Sequence, residues 1–297
     1  METTNYIEFK KERDLGAIIS DTFKFIRENW KDYFNAVIKI AGPFILIGAF
    51  IMVFFFSSFS TLMANMQGAT VNNEDPNLIF GFMGSMFGWI GLLMLVGVVI
   101  YVLVSATSLY YIKSYMESSG KADFTEVRKN TFKNFWKFIG LGILVLLIIL
   151  LGAVFCYLPG IYLAIVLSLS TSILVFENKS ISDTISHSFT LIKGQWWNTF
   201  GVLLVVGLLV SLLGSVFSIP AFIYQMIKMA TIASSQDATE VFNIFNDPIY
   251  IGLNVLSFVG KYVLSSITLI ATVFIYYDLN EQKNLTGTLE KIDSIGR

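Results

Sequence analysis

A single cysteine, Cys156, and a single histidine, His187, stand in 297 residues. One cysteine excludes an intramolecular disulfide and any CxxC site. One histidine beside it leaves no His/Cys cluster for a metal, which needs several converging ligands. No GxSxG elbow, phosphate loop or GxGxxG fingerprint occurs. No catalytic residue, metal or cofactor is therefore expected. Charge is scarce too: 14% of residues carry one, against about 25% in soluble domains. Twenty basic residues against 21 acidic ones give a net charge of −1, so no global field gathers nucleic acid. The first 35 residues mix charges of both signs and contain no apolar signal-like run, so no cleavable signal peptide is expected.

What the chain has in quantity is apolar length. Hydrophobic residues make up 55% of it, and its mean hydropathy is +0.69. Runs of about 20 or more apolar residues suffice to cross a hydrocarbon core about 30 Å thick. They predict six spans, near residues 36–63, 78–113, 138–155, 161–176, 199–219 and 251–277. Pro43 falls in the first span and invites a kink, Pro220 marks a bend or end of the fifth, and the segment around Pro159-Gly160 reads as a tight reversal. The second span, at about 36 residues or roughly 54 Å, is too long merely to cross. On its outer part Gly81, Gly84, Gly88 and Gly91 share one face, a candidate contact face for packing within the chain or against another subunit.

The stretch Ile181–Phe200 places Ile181, Ile185, Phe189, Ile192, Trp196 and Phe200 on one stripe, with Asp183, His187, Thr190, Gly194 and Asn198 opposite. That spacing predicts an amphipathic helix, and beside a span it reads as one lying in the membrane interface. Ile19–Phe34 aligns to Ile185–Phe200 without gaps, with Ile19, Ser20, Phe23, Ile26, Trp30 and Phe34 identical to their partners. A weaker third copy surrounds Thr131-Phe132-Lys133, matching Thr22-Phe23-Lys24.

Eighteen of the 20 basic residues fall on one side of a six-span arrangement; only Lys228 and Lys261 do not. The positive-inside rule then puts both termini in the cytoplasm. The expected fold is an all-α integral membrane protein, one domain of six transmembrane helices arranged as three parallel hairpins. Each hairpin follows a cytoplasmic interfacial amphipathic helix, over 14–113, 121–177 and 180–277; residues 1–13 and 278–297 are a loose polar segment and a short cytoplasmic tail.

Several residues then form a pattern. Pro159-Gly160, a span ending in Glu177, then Ser188, Leu191, Gly194 and Trp196 lead into the next span, and Ile275-Tyr276-Tyr277-Asp278-Leu279-Asn280 closes the last. This resembles bacterial membrane proteins related to the membrane domain of glycerophosphoryl diester phosphodiesterase, with spacing shifted at the glycine and tryptophan. The family-like positions are Pro159, Gly160, Glu177, Ser188, Gly194, Trp196, Tyr277 and Asp278. The resemblance implies a membrane domain of the bacterial inner membrane. It argues against carrying over the diesterase reaction, which belongs to a soluble barrel whose His and Glu motifs have no counterpart in a chain with one histidine.

Lys261 is the most unusual ionisable residue. Counting 1.5 Å per residue from Tyr276 puts it about 22 Å into a core about 30 Å thick. It reads either as a lysine snorkelling to the outer face or as a candidate intramembrane polar site. Glu177 reads as an acceptor for the amides opening the next helix, and His187 as a solvated surface histidine. Trp30, Trp136, Trp196 and Trp197 mark span ends as an aromatic belt, with Arg27, Lys31 and Lys193 suited to anionic headgroups. The expected partners are membrane lipids and another membrane protein or a second copy, with no nucleic acid. The expected role is a non-enzymatic subunit or scaffold of a membrane assembly. The alternatives are a transporter or flippase for a lipid or apolar solute, and a membrane enzyme acting on lipid headgroups through Glu177 and Asp278.

Overall fold

The computed structural model describes residues 6–70, 76–155, 157–235 and 240–295, and every regular element among them is helical. Glu74, Asp75, Cys156, Asp237 and Arg297 lie outside the described residues. In order the helices are α1 (Leu15–Thr70), α2 (Pro76–Glu117), α3 (Phe124–Phe155), α4 (Tyr157–Leu167), α5 (Ser170–Phe176), α6 (Ile181–Ile192), α7 (Trp196–Ser235), α8 (Glu240–Asn243), a 3-10 turn (Ile244–Asn246), α9 (Pro248–Asn284) and α10 (Thr286–Ile295). Six stretches are long and apolar enough to cross a membrane: Leu15–Met63, Phe80–Glu117, Phe124–Val154, Tyr157–Phe176, Trp196–Ala233 and Pro248–Asn284. The all-helical, multi-pass membrane class is the one hydropathy predicts.

The helices run further than the sequence divides them. α1 is a single helix of 56 residues, about 84 Å long, so the opening amphipathic segment and the first span are continuous through Pro43. α3 joins the second amphipathic segment to its span in the same way, and α7 passes through Pro220 without ending. A proline inside a helix costs about 3 kcal/mol. In an apolar medium, leaving helical geometry would strand further backbone groups at several kcal/mol each, so the helix continues. Only the third amphipathic segment, α6, is separate. Gly194, at φ 87°, sits between α6 and α7, a left-handed conformation that glycine adopts without steric penalty.

The fourth span, by contrast, is interrupted between α4 and α5. There the Ser168 hydroxyl donates to the Ile165 carbonyl at 2.8 Å and the Ser170 hydroxyl to that of Leu167 at 2.7 Å, serving carbonyls at the break. Pro159 and Gly160 lie in the first turn of α4 rather than in the reversal before it. Proline is tolerated there because its missing N–H would have no helical partner. A Cβ on Gly160 would stand 2.9 Å from that of Ala153, and one on Gly152 only 2.5 Å from a Leu163 methyl. These two glycines therefore set how closely α3 and α4 pack.

The chain divides into two compact units. The first comprises Met1–Ile40, Val102–Val210 and Ser265–Arg297, the second Ala41–Tyr101 and Ser211–Leu264. In the first, α2 is buried from Val102 to Ile112 and α9 from Leu269 to Glu281. Ile18, Thr22, Phe25, Tyr33, Ala36 and Ile40 of α1 are buried, and so are their gaplessly aligned partners Thr184, Ser188, Leu191, Thr199, Val202 and Val206. The Thr22 hydroxyl donates to the Ile18 carbonyl at 2.7 Å, and that of Ser188 to Thr184 at 3.0 Å. In α3, Val127 and Thr131 are buried at the matching places. The buried face is thus not the large apolar stripe. Trp30 is 53% exposed and Phe189 38%, and of the stripe on α6 only Ile192 is buried.

In the second unit Phe56, Ile244 and Tyr250 form a small core with Met52, Phe55, Tyr224, Ile232, Phe245 and Ile251 around it. Asp247 stands at its edge. It accepts from the Tyr224 hydroxyl at 2.7 Å and the Ile249 amide at 2.9 Å, and pairs with Lys228 at 2.9 Å. These bonds, that to Lys228 first, hold its carboxyl down at about 2. The segment Tyr224–Ser235 is helical as the last part of α7.

Candidate functional site

Among the described residues, the segment 6–13 and the helix α10 are packed, where residues 1–13 read as loose in the sequence. Ile7 and Phe9 are buried, the Phe9 ring stacks on Phe274 at 4.5 Å, and the Ile7 amide donates to the Tyr115 hydroxyl at 3.1 Å. The Arg13 side chain is wholly buried. Its guanidinium donates to the carbonyls of Phe9 at 2.7 Å and Lys11 at 3.1 Å and to that of Glu8, pairs with Asp21 at 2.8 Å, and lies 4.7 Å over the Phe274 ring. Asp278 accepts from the Arg13 amide at 2.7 Å and from Gln282 at 3.0 Å.

α9 continues past Asp278 to Asn284, Leu285 turns through a positive φ of 51°, and α10 follows. Glu281, buried on α9, accepts from the amides of Gly287 at 2.7 Å and Thr288 at 2.8 Å and from the Thr288 hydroxyl at 2.6 Å. A carboxylate there satisfies amides of the first turn of α10 that lack helical partners. α10 is then clasped to the N-terminal segment by Lys10–Glu290 and Lys291–Glu8, each at 2.6 Å. Gly287 is required at this contact, since a Cβ there would stand 2.6 Å from the Lys10 carbonyl.

Glu177 does not cap α6. Ser180 is the N-cap, its side chain accepting from the Asp183 amide. Glu177 instead gathers the Tyr276 hydroxyl at 2.9 Å, Lys179 at 2.5 Å and His187 Nε2 at 3.2 Å. The His187 side chain is 23% exposed, so it faces this carboxylate rather than open solvent.

Two adjoining clefts open in this unit. One of about 420 Å3 is lined by Glu177, Lys179, His187, Tyr276, Asn280 and Asn284, among others. The second, of about 670 Å3, is lined by Tyr6, Glu8, Lys113, Met116, Glu117 and Lys291. Lys10, Phe176, Tyr277 and Glu290 line both, so the Lys10–Glu290 pair stands where they meet. Burial, followed by the negative neighbourhood that includes Glu8 and Glu290, pushes the Tyr6 phenol up.

Of the motif residues singled out from sequence, Glu177 and Tyr277 meet at the smaller cleft. Asp278 lines a separate, smaller one with Arg13 and Gln282. Ser188 is buried in the α6 core face, Gly194 makes the α6–α7 break, and Trp196 donates to the Tyr162 carbonyl at 3.3 Å. Pro159 and Gly160 belong to the α3–α4 packing. In the second unit Lys261 is exposed on α9, its Cγ 3.9 Å from where a Cβ on Gly214 would stand. Nothing lies within 4 Å of a Cβ built on Gly81, Gly84, Gly88 or Gly91, so their face of α2 packs against no described residue. Among the described residues no three His, Cys, Asp or Glu stand close enough to hold a metal.

Arg13, Glu281 and α10 escaped the sequence reading. A Gly directly after the Leu285-Thr286 step, with Glu281 six residues before it, was the available signal. No protein-family model, curated protein or solved structure matches the chain.

Proposed function

We propose that the chain is a multi-pass protein of the bacterial inner membrane, related to the membrane-domain family named above and lacking its catalytic domain. In this reading both termini are cytoplasmic, and the protein acts as a non-enzymatic subunit or scaffold of a membrane assembly. The observation that carries it is the open face of α2. Four glycines at Gly81, Gly84, Gly88 and Gly91 line it with nothing against them, and Phe80 and Phe87 beside them are 72% and 67% exposed. Small residues on a membrane helix permit close helix contact, so the partner is another membrane protein or a second copy. The matched burial of α1 and α6–α7 supports the repeat on which the three-hairpin arrangement rests. The test is purification in mild detergent with Gly84→Leu and Gly88→Leu variants. Wild type is expected to carry a partner or self-associate, and the variants to lose it; a strictly monomeric wild-type particle with nothing bound would end the reading.

The alternative, a carrier or flippase for a lipid or apolar solute, draws on the α4–α5 interruption, because discontinuous helices form sites in transporters. Lys261 supports it less, since its aliphatic stem runs beside Gly214 and its end is exposed, as in snorkelling. Liposome flux that is unchanged by Ser168→Ala and Ser170→Ala would count against it. An enzyme acting on headgroups through Glu177 and Asp278 is least supported, because both carboxylates are engaged by protein donors in different clefts.

A further inference from the structure

The 670 Å3 cleft has a lining balanced in charge, with Lys10, Lys113 and Lys291 facing Glu8, Glu117 and Glu290. Two of these pairs close on themselves, Lys10 with Glu290 and Lys291 with Glu8. Lys113 and Glu117 remain, one helical turn apart on the same face of α2. Lys113 donates to the Val175 carbonyl at 3.1 Å, which leaves its charge uncompensated. The exposed Glu117 carboxylate has no hydrogen bond or ion pair among the described residues. Between the clefts stands Tyr277, 6% exposed, its ring held against Phe9, Phe176 and Tyr276. Its hydroxyl makes no hydrogen bond to any described residue. Tyr277 lines both clefts, and a phenol hydroxyl without a partner in the chain can donate to or accept from a ligand there.

We propose that this cleft binds a small zwitterion, with its ammonium group at Glu117 and the Tyr277 hydroxyl and its anionic group at Lys113, against the Tyr6 and Phe176 rings. A polyanion or a polycation would meet as much repulsion as attraction in this lining, whereas a dipolar ligand matches both free charges. The ligand is either a free solute or the headgroup of a zwitterionic lipid. The proposal is independent of the scaffold reading, which concerns the glycine face of α2.

The test uses the full chain with two probes. The first is O-phosphoethanolamine, titrated by calorimetry into detergent-solubilised protein. The second is nanodiscs of phosphatidylglycerol with and without phosphatidylethanolamine, read by the thermal unfolding midpoint. Binding is expected to weaken tenfold or more in Tyr277→Phe and in Glu117→Gln, as fits loss of a hydrogen bond to a charged group. Glu117→Gln lies at an exposed position, so an unchanged unfolding midpoint without ligand certifies its fold. Binding of the free compound assigns a soluble zwitterion; stabilisation by the lipid alone, lost in Glu117→Gln, assigns a headgroup. Failure of both probes, or binding that neither variant weakens, overturns the proposal.

Discussion

Arg13 shows how much a single polar residue can organise. Its fully buried guanidinium binds three carbonyls of its own segment and one carboxylate, so removing it strands all of them. Breaking a buried pair in this way costs on the order of 3–5 kcal/mol. Arg13→Met should therefore lower the unfolding midpoint in detergent and expose Lys10 and Lys11 to trypsin; an unchanged digest would show that the segment is held otherwise. Asp247 gives a pH prediction. Its carboxyl is held down at about 2 from an ordinary 3.8, so its contribution is complete above the ordinary value and lost as pH falls through the lower one. Hydrogen-exchange protection of residues 242–250 should be flat from pH 7 to 5 and fall between pH 4 and 2. Asp247→Asn should remove that step. Neither residue was legible from sequence as a structural centre. Arg13 sits in a run of mixed charges, and only the path of residues 6–13 brings its own carbonyls round to it.

At the scale of the helix, hydrophobic periodicity located all six spans but did not mark the face by which the helices pack on one another. Lipid is as apolar as leucine, so in a membrane the large apolar stripe has no reason to turn inward, and small residues mark where helices meet. Thr22, Thr131 and Ser188 accordingly occupy the buried face, while Trp30, Phe132 and Phe189 on the stripe side are exposed. The buried hydroxyls are not equivalent. Thr22 donates to a carbonyl, whereas Thr131 and Thr184 have no hydrogen-bond partner among the described residues. Thr184→Val and Thr131→Val should be neutral or stabilising and Thr22→Val destabilising, by about 1 kcal/mol; equal effects in denaturant titration would contradict the assignment. The glycines of the α3 and α4 pair divide similarly. Gly142→Ala meets open space and should be tolerated, while Gly160→Ala meets Ala153 and should cost about 1–3 kcal/mol. Continuity was the other feature hidden from sequence. Pro43 and Pro220 suggest breaks in a local reading, yet the real interruption falls at Ser168–Leu169, where serine hydroxyls replace lost backbone donors.

For the whole molecule, the proposed orientation makes a direct prediction. In a Cys156→Ser background, an impermeant maleimide added to intact cells should label Lys228→Cys and spare Lys121→Cys; the reverse pattern would invert the topology. The clasp between the chain ends has a consequence for biogenesis. Arg13 meets Asp278, and Lys10 meets Glu290, across 265 and 280 residues of sequence. Residues 10–13 thus wait for residues made 265 or more positions later, and contacts this distant in sequence close slowly. Until α9 is in place, the N-terminal segment lacks Phe274 and Asp278 as partners, and until α10 follows it lacks the two outer ion pairs. Removing α10 by truncation before Thr286 takes away both ion pairs of the clasp and should raise proteolysis at Lys10 and Lys11, which makes the clasp a seal that closes only after the last helix has emerged.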